Sequence, residues 1–297
     1  MQSQTQSFQT RQNMEKNTFE VFRYRDPKPE SVAVHHHDFY EIYFFLNGEV
    51  EYRVEGKTYL LTPGDLLLIN PRELHQPIVK PGCVYERIVL WIDKNYIESF
   101  GDGENSLTKC FDIQSPTHTN ILRPTGIQRT NITNLLENMI NESYGNDYGN
   151  DLSAMGALLQ FMVEINRLAI QKEGSAEPVK DTLLVTQVLA FINEHYNEDL
   201  SLESIARKFF VSKYHLSHEF TRSVGTSVYR YIMLKRLLNA KELLSQGMAP
   251  GVVYHKCGFQ DYANFYRAFK AEYGVSPKEL GMRNFGTLRV DCNRVES

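Results

Sequence analysis

Apolar positions in the first third of the chain come in short, closely spaced runs rather than at helical intervals. Between Phe19 and Leu90 the segments EIYFFL, EVEYRV, KTYLL and DLLLI are separated by Asn47-Gly48, Glu55-Gly56, Pro63-Gly64 and Asn70-Pro71. Gly and Pro dipeptides of this kind end strands and open turns, so the pattern predicts an antiparallel barrel or sandwich of short strands. Residues 91–126 carry no clear period and no element is assigned there. From Ile127 the spacing turns helical. Leu135, Leu136, Met139 and Ile140 form one stripe, SYGNDYGND interrupts it, and Leu152, Met155, Leu159, Met162, Val163 and Leu168 form a second. Two antiparallel helices with such stripes either pack on their own barrel or pair with another subunit, and both readings stand. EGSAEPVKD reads as a linker, and the chain beyond it to about Leu280 as helices with short turns.

Within that last stretch, residues 200–225 fit a helix-turn-helix: a support helix, a tight turn, and a second helix whose outer face is left for a DNA groove. Ser201 is an N-cap candidate, with Ser204 where a full capping box has Glu or Gln. Ile205 and Ala206 supply packing residues, and Ser212 caps the second helix. Leu216, Phe220 and Val224 share one face of it, Tyr214, His218, Thr221 and Arg222 lie opposite, and Ser217 flanks them. A second copy opens at Pro250, turns at Gly258-Phe259 and is capped by Asp261. It buries Phe265 and Phe269 and leaves Tyr262, Asn264, Tyr266, Arg267 and Lys270 outside. Residues 227–247 read as one amphipathic helix that sets the spacing between the copies.

Composition narrows the class. A hydrophobic fraction of 42% and a charged fraction of 23% are ordinary for a globular protein. No apolar run approaches the roughly 18 residues of a membrane span, and the polar start MQSQTQSFQTRQNMEKN lacks the apolar core of a secretory signal. Cys83, Cys110, Cys257 and Cys292 form no close pair, which argues against a zinc cluster and for a reducing, cytoplasmic setting. The net charge of -4 hides an asymmetry. Residues 1–181 carry 17 basic and 25 acidic groups, whereas residues 182–283 carry 13 and 9. A basic C-terminal half is what a protein needs if only that half meets phosphates.

The segments LSLESIARKFFVSKYHLSHEF, YRYIMLKRLLNAKELL and CGFQDYANFYRAFKAEYGVSPKEL resemble the DNA-binding domain of AraC/XylS-type regulators from about Leu183 to Leu280. The resemblance implies two helix-turn-helix units joined by a linker helix, their recognition helices in successive major grooves. It places base contacts on Tyr214, Ser217 and His218 in the first unit and on Tyr262, Asn264 and Arg267 in the second. Two departures stand out. His218 replaces a common Arg, and Tyr254 sits where a small residue is expected at a close helix crossing, which should push the helices apart.

HHHDFYEIYFFLNGEVEYRVEGKTYLLTPGDLLLINPRELHQP, residues 35–77, resembles the cupin barrel carried by many such regulators. His35, His37, Glu41 and Gly48 fit its first half-motif, and PGD with a later His75 fits the second. In metal-binding cupins the matching His35, His37, Glu41 and His75 positions form the metal centre. Strand alternation would also aim Tyr43 at the same face. Three readings compete. One is a metal-free pocket in which His35, His37, Glu41, Tyr43 and His75 hydrogen-bond a sugar stacked on Phe39, Tyr40 or Tyr43. Another is a metal site for Fe(II), Mn(II) or Zn(II). The third is a set of ordinary barrel residues. Arg23 and Tyr24 are weaker pocket candidates.

The expected architecture is a two-domain α+β chain: a cupin-like antiparallel β-barrel with a helical hairpin, then an all-α double helix-turn-helix. Its plan is a flexible arm (1–18), a sensing domain (19–126), the hairpin (127–172), which packs on the barrel or dimerises, a linker (173–181), the DNA-binding domain (182–283) and a tail (284–297). The expected function is a ligand-responsive activator of carbohydrate-utilisation genes, binding double-stranded DNA and a sugar effector as a homodimer, with no membrane partner, no cofactor and no catalysis. Its rivals are a metal-dependent cupin enzyme with an accessory DNA-binding domain and a constitutive DNA-binding regulator.

Overall fold

A computed structural model describes residues 13–29, 32–115, 118–171 and 183–281. The anticipated linker, the tail with Cys292 and most of the arm lie outside the described residues. The chain divides into two compact units, residues 1–181 and 182–297.

The first unit is built from β1 (Phe19–Asp26), β2 (Tyr40–Asn47), β3 (Val50–Val54), β4 (Lys57–Leu60), β5 (Leu66–Ile69), β6 (His75–Val79), β7 (Tyr85–Ile92) and the short β8 (Ile121–Leu122). All pairings are antiparallel and form two sheets, one in the order β1-β7-β2-β5-β8 and one in the order β4-β3-β6. A short bridge between His35 and His75 adds a further antiparallel contact. The β3–β4 hairpin turns on Glu55 and Gly56, both at positive φ (47° and 77°), the conformation a two-residue hairpin loop demands.

The larger sheet is covered on both faces, which explains why β2 is buried along nearly its whole length. Tyr40, Ile42 and Phe44 join Val21, Leu68 and Leu90 in one core. That core is completed by α1 (Lys94–Glu98), α2 (Gly126–Ser143) and α3 (Asn150–Gln171) through Ile97, Leu136, Met139, Leu158, Phe161 and Ile165. Tyr43 and Phe45 point the other way, toward Val50, Tyr52, Val54 and Tyr59 of the smaller sheet. Residues 91–126, which showed no period, hold α1, two short 3-10 turns and β8. Elements of two to five residues are too short to display one.

The hairpin stripes split. Met162 and Leu168 are buried against the sheet, whereas Leu152 and Val163 face outward and Leu159 is half-buried. A stripe spanning this wide an arc serves two surfaces.

The second unit contains α4 (Leu183–His195), α5 (Leu202–Lys208), α6 (Lys213–Val224), α7 (Val228–Ser245), α8 (Pro250–Lys256) and α9 (Tyr262–Tyr273). Ser204 completes the capping box with its own hydroxyl: it accepts from Ser201 N (2.9 Å), and Ser201 Oγ accepts from Ser204 N (3.0 Å). Helix α7 carries both helix-turn-helix copies. Its Tyr231 meets Phe220 of α6, and its Leu237, Ala240 and Leu244 pack with Val253, Phe265 and Phe269. Arg236 ties it to the loop after α4 by donating to the carbonyls of Tyr196 and Glu198, each at 2.7 Å.

Tyr254 does not separate α8 from α9. The crossing is made by the fully buried Val253 and Cys257, and the Tyr254 ring lies at its edge, T-shaped on Tyr262 at 5.7 Å. A planar ring on a helix flank can rotate away from the axis of closest approach, which removes the expected clash.

Gly258 is required twice over. Its φ is +79°, and an added Cβ would stand 2.6 Å from the carbonyl oxygen and 2.8 Å from the Cα of Asn197. Gly258→Ala is expected to destabilise the chain by about 2–5 kcal/mol, strain and overpacking combined. Gly274→Ala, at φ +71° with nothing within 4 Å, should cost only about 1–2 kcal/mol. Denaturant unfolding of the two variants measures the difference.

Candidate functional site

Glu41 is the centre of the space between the sheets. As the second residue of β2 it sits opposite Trp91 of β7 and Ile69 of β5. Trp91 Nε1 donates to its Oε2 (2.8 Å) and Tyr52 Oη to its Oε1 (3.3 Å). His37 Nε2 stands 3.4 Å from Oε2. Burial alone would raise the Glu41 carboxyl, but its interaction with His37 prevails and holds it at about 2, so it is ionised.

The histidines are oriented by the backbone. The Nδ1 of His37 lies 2.8 Å from the carbonyl of Phe39, that of His75 3.0 Å from the carbonyl of Glu73, and that of His35 2.9 Å from the carbonyl of Ala33. A carbonyl only accepts, so each Nδ1 carries a proton, and where the ring is neutral, as at His75, Nε2 keeps its lone pair. The Nε2 atoms of His37 and His75 are buried and have no hydrogen-bond partner. Burial, reinforced by the other two imidazoles, holds His75 well below its ordinary range, and burial likewise lowers His35.

Ligand atoms of His37, Glu41 and His75 all lie within 4.8 Å of one another. Two imidazoles with carbonyl-anchored Nδ1–H groups and one ionised carboxylate are a chemically suitable donor set for Fe(II), Mn(II) or Zn(II). A bound ion would supply Lewis acidity toward an oxygen-bearing ligand. His35 falls outside this set. It is half-buried, and its ring packs edge-on against His75 at 4.2 Å.

Aromatic and cationic groups surround the cluster. Phe39 stacks on His37 (4.0 Å, 4°) and lies 4.7 Å from Trp91. Tyr43 Oη hydrogen-bonds Tyr85 Oη. Arg87 is buried, pairs with Asp26 and lies over the rings of Tyr85 (4.1 Å) and Tyr24 (4.8 Å). Burial raises Tyr43 and Tyr52 well above their ordinary range and Tyr85 to about 12, so all three remain protonated.

Two of the expected pocket residues face elsewhere. Tyr40 lies on the opposite side of β2 from Glu41 and stacks on Phe111 at 4.4 Å in the helix-packed core. Arg23 points at α2 and pairs with Glu137. Both follow from strand parity, which sends neighbours to opposite faces. Tyr52, Tyr85, Arg87 and Trp91 had gone unnoticed. Their signal is the spacing of two in YERIVLWI, which puts Tyr85, Arg87 and Trp91 on one face.

In the helical unit, Leu216, Phe220 and Val224 are buried, Tyr214, His218, Thr221 and Arg222 exposed, and Ser217 half-buried. His218 and Arg222 both reach Glu219, which restrains them on the surface. On α9, Tyr262, Asn264 and Arg267 are exposed, and Asn264 Oδ1 accepts from Arg267. The two reading helices correspond cap to cap. Ser212 matches Asp261 and Gly225 matches Gly274, so His218 is equivalent to Arg267 and Ser217 to Tyr266. Tyr262 corresponds to Lys213 rather than to Tyr214, because the second turn has one residue more.

A β unit with a polar interior followed along the chain by a paired helix-turn-helix unit has the plan of a ligand-responsive DNA-binding regulator. Residues 18–162 match an AraC-like ligand binding domain and residues 205–283 a helix-turn-helix domain. The chain belongs to the AraC family of DNA-binding transcriptional regulators. The HTH-type transcriptional activator RhaS of Escherichia coli O157:H7 is 23% identical over 264 residues, 86% of this chain and 89% of RhaS. Among solved structures, unsaturated fatty acid-bound ToxT from Vibrio cholerae aligns over 91% of this chain and 97% of its own at 15% identity, with a TM-score of 0.40. The C-terminal domain of AraT from Geobacillus stearothermophilus aligns over 34% of this chain and 86% of its own at 29% identity, with a TM-score of 0.34. Among the described residues no helix is long and apolar enough to cross a membrane.

His75 gives the β unit a pH dependence of defined sign. Its imidazole ordinarily titrates near 6.5 and lies lower in the fold, so below that pH the unfolded chain binds the extra proton. The stability involved is complete above pH 6.5 and declines as pH falls. Wild type is expected to lose melting temperature between pH 7 and 5 more steeply than His75→Gln. Parallel slopes would mean that His75 is not held neutral.

Proposed function

We propose that this chain is a cytoplasmic, ligand-switched activator of carbohydrate-utilisation genes, with a mono- or oligosaccharide as effector. One observation carries the reading: the unpartnered Nε2 atoms of His37 and His75, buried beside an ionised Glu41 among aromatic rings. Sugar hydroxyls are donors that suit lone-pair acceptors, and Phe39 and Trp91 offer ring faces for stacking. The activating sign is supported by RhaS, which is named an activator. DNA is read by Tyr214, Ser217, His218, Thr221 and Arg222 on α6 and by Tyr262, Asn264 and Arg267 on α9, with His218 and Arg267 as the paired central contacts.

Divalent metal binding at His37, Glu41 and His75 is the second reading, favoured by the 4.8 Å clustering of their ligand atoms. Dose–response curves of DNA binding against a sugar library, paired with elemental analysis, separate the two. Glu41→Gln and His75→Ala should each shift the response to about tenfold higher sugar, the loss of one hydrogen bond. His218→Ala and Arg267→Ala should each cut discrimination by about 1–3 kcal/mol. One metal per chain, lost in both pocket variants along with all response, would replace the metal-free reading. Unchanged binding by both helix variants would remove the proposed reading face.

A homodimer through α2 and α3 completes the proposal. Leu152, Leu159, Val163 and Ile170 recur along one outward stripe of α3. Beside it runs a groove of about 560 Å³, bounded by Asn131, Asn134 and Leu135 of α2. A second copy of the same stripe fits a helix-on-helix interface. Leu159→Glu with Val163→Glu should yield a folded monomer by sedimentation. Charging Met162 instead should unfold the unit, because Met162 is fully buried. A folded dimer of the double variant would show that another surface pairs.

A further inference from the structure

The two helix-turn-helix turns are built alike. In the first, Phe210 N donates to Arg207 O (3.2 Å) and Val211 N to Ala206 O (3.0 Å). In the second, Gly258 N donates to His255 O (3.0 Å) and Phe259 N to Tyr254 O (3.0 Å). Both turns place one residue in the left-handed region, Phe210 at φ 56° and Gly258 at φ 79°. Glycine occupies such a position without steric cost, whereas a bulky side chain there is an outlier that is retained for a reason. The second copy uses the glycine. The first uses phenylalanine.

Among the described residues no packing contact rewards that choice. Gly258 is pressed against the backbone of Asn197, but Phe210 is 95% exposed. Among the described residues the other non-glycine residue at positive φ is Glu55, whose hairpin loop requires the conformation and whose side chain accepts from Leu74 N at 2.7 Å. Phe210 combines a disfavoured backbone with an aromatic ring in water. It stands two residues before Ser212, the N-cap of α6, and beside the exposed Lys213 and Tyr214 of the first turn. The N-terminal end of a recognition helix is the end that approaches base edges.

We propose that Phe210 is a DNA-contacting, specificity-determining residue whose ring packs against a thymine 5-methyl group at the edge of the site read by α6. Apolar contact with that methyl is how an aromatic side chain reads sequence in the major groove. A ring held out on a left-handed turn is already oriented before binding, so little side-chain freedom is lost on contact. The proposal rests on α6 being a reading helix.

The experiment uses the full chain and a duplex that the wild type enriches from a randomised pool. Phe210→Gly and Phe210→Asn should melt at or above the wild-type temperature, because both residues accept the left-handed turn. Their affinity for the selected duplex should fall about tenfold, the scale of one lost base contact. Their salt dependence should be unchanged, since no phosphate contact is lost. Replacing thymines singly by uracil, which lacks the methyl, should weaken wild type at one position and leave Phe210→Gly indifferent there. A lowered melting temperature, wild-type affinity, or the same uracil profile in both proteins would overturn the proposal. So would lost promoter activation with intact DNA affinity, which would assign the ring to a protein partner. His218→Ala serves as the control: if it too binds as wild type, the reading role of α6 has failed rather than the role of Phe210 alone.

Discussion

A β-sheet buried on both faces has to sort its side chains between two environments at every step, and the first unit follows from that constraint. Along β2, Tyr40, Ile42 and Phe44 enter the core shared with α1, α2 and α3, while Glu41, Tyr43 and Phe45 enter the space between the sheets. The helix side is almost wholly apolar. The sheet side is not, and a carboxylate survives there because Trp91 and Tyr52 donate to it. An unpaired ionised carboxylate in that position would be prohibitively costly. Donors from β7 and from β3 therefore have to converge on one residue. That convergence holds the two sheets in register and simultaneously creates a polar interior.

The same groups that satisfy Glu41 leave His37 and His75 unsatisfied. Each ring is fixed by a backbone carbonyl at Nδ1, so its Nε2 has a defined direction and no hydrogen-bond partner. Buried unpaired acceptors are uncommon because they cost free energy. A site in which they are paired only by a bound molecule converts that cost into a preference for the liganded state. This is the physical basis on which a β unit of this kind can couple occupancy to stability.

In the helical unit one element sets the geometry. Helix α7 packs against the reading helix of each copy, and Arg236 fastens it to the loop after α4. The two copies share turn hydrogen bonds and the capping of their second helices, and they differ where their surroundings differ. The second turn abuts Asn197 and has room only for glycine, whereas the first opens to solvent and carries Phe210. Likewise His218 and Arg267 occupy equivalent positions with different side chains.

Local chemistry was legible in the sequence. The turns at Asn47-Gly48 and Glu55-Gly56, the caps Ser201, Ser212 and Asp261, and the buried faces at Leu216/Phe220/Val224 and Phe265/Phe269 depend on near neighbours, and periodicity reports near neighbours faithfully. The family was legible too, since its motifs lie on contiguous segments. Tertiary structure decided what depends on distant partners. Strand parity alone could not say that the Glu41 face meets a second sheet and the Tyr40 face meets helices. Nor could it show that Trp91 and Tyr52 would donate to Glu41 from far along the chain, or that His35 would stand aside from His37 and His75. The Met162 and Val163 positions differ by one residue and by a whole environment, because a helix side chain's fate is set by what packs on it. The cost of Phe210 was equally hidden: a phenylalanine in a sequence carries no mark of its φ, and only the folded turn reveals that glycine's place has been taken.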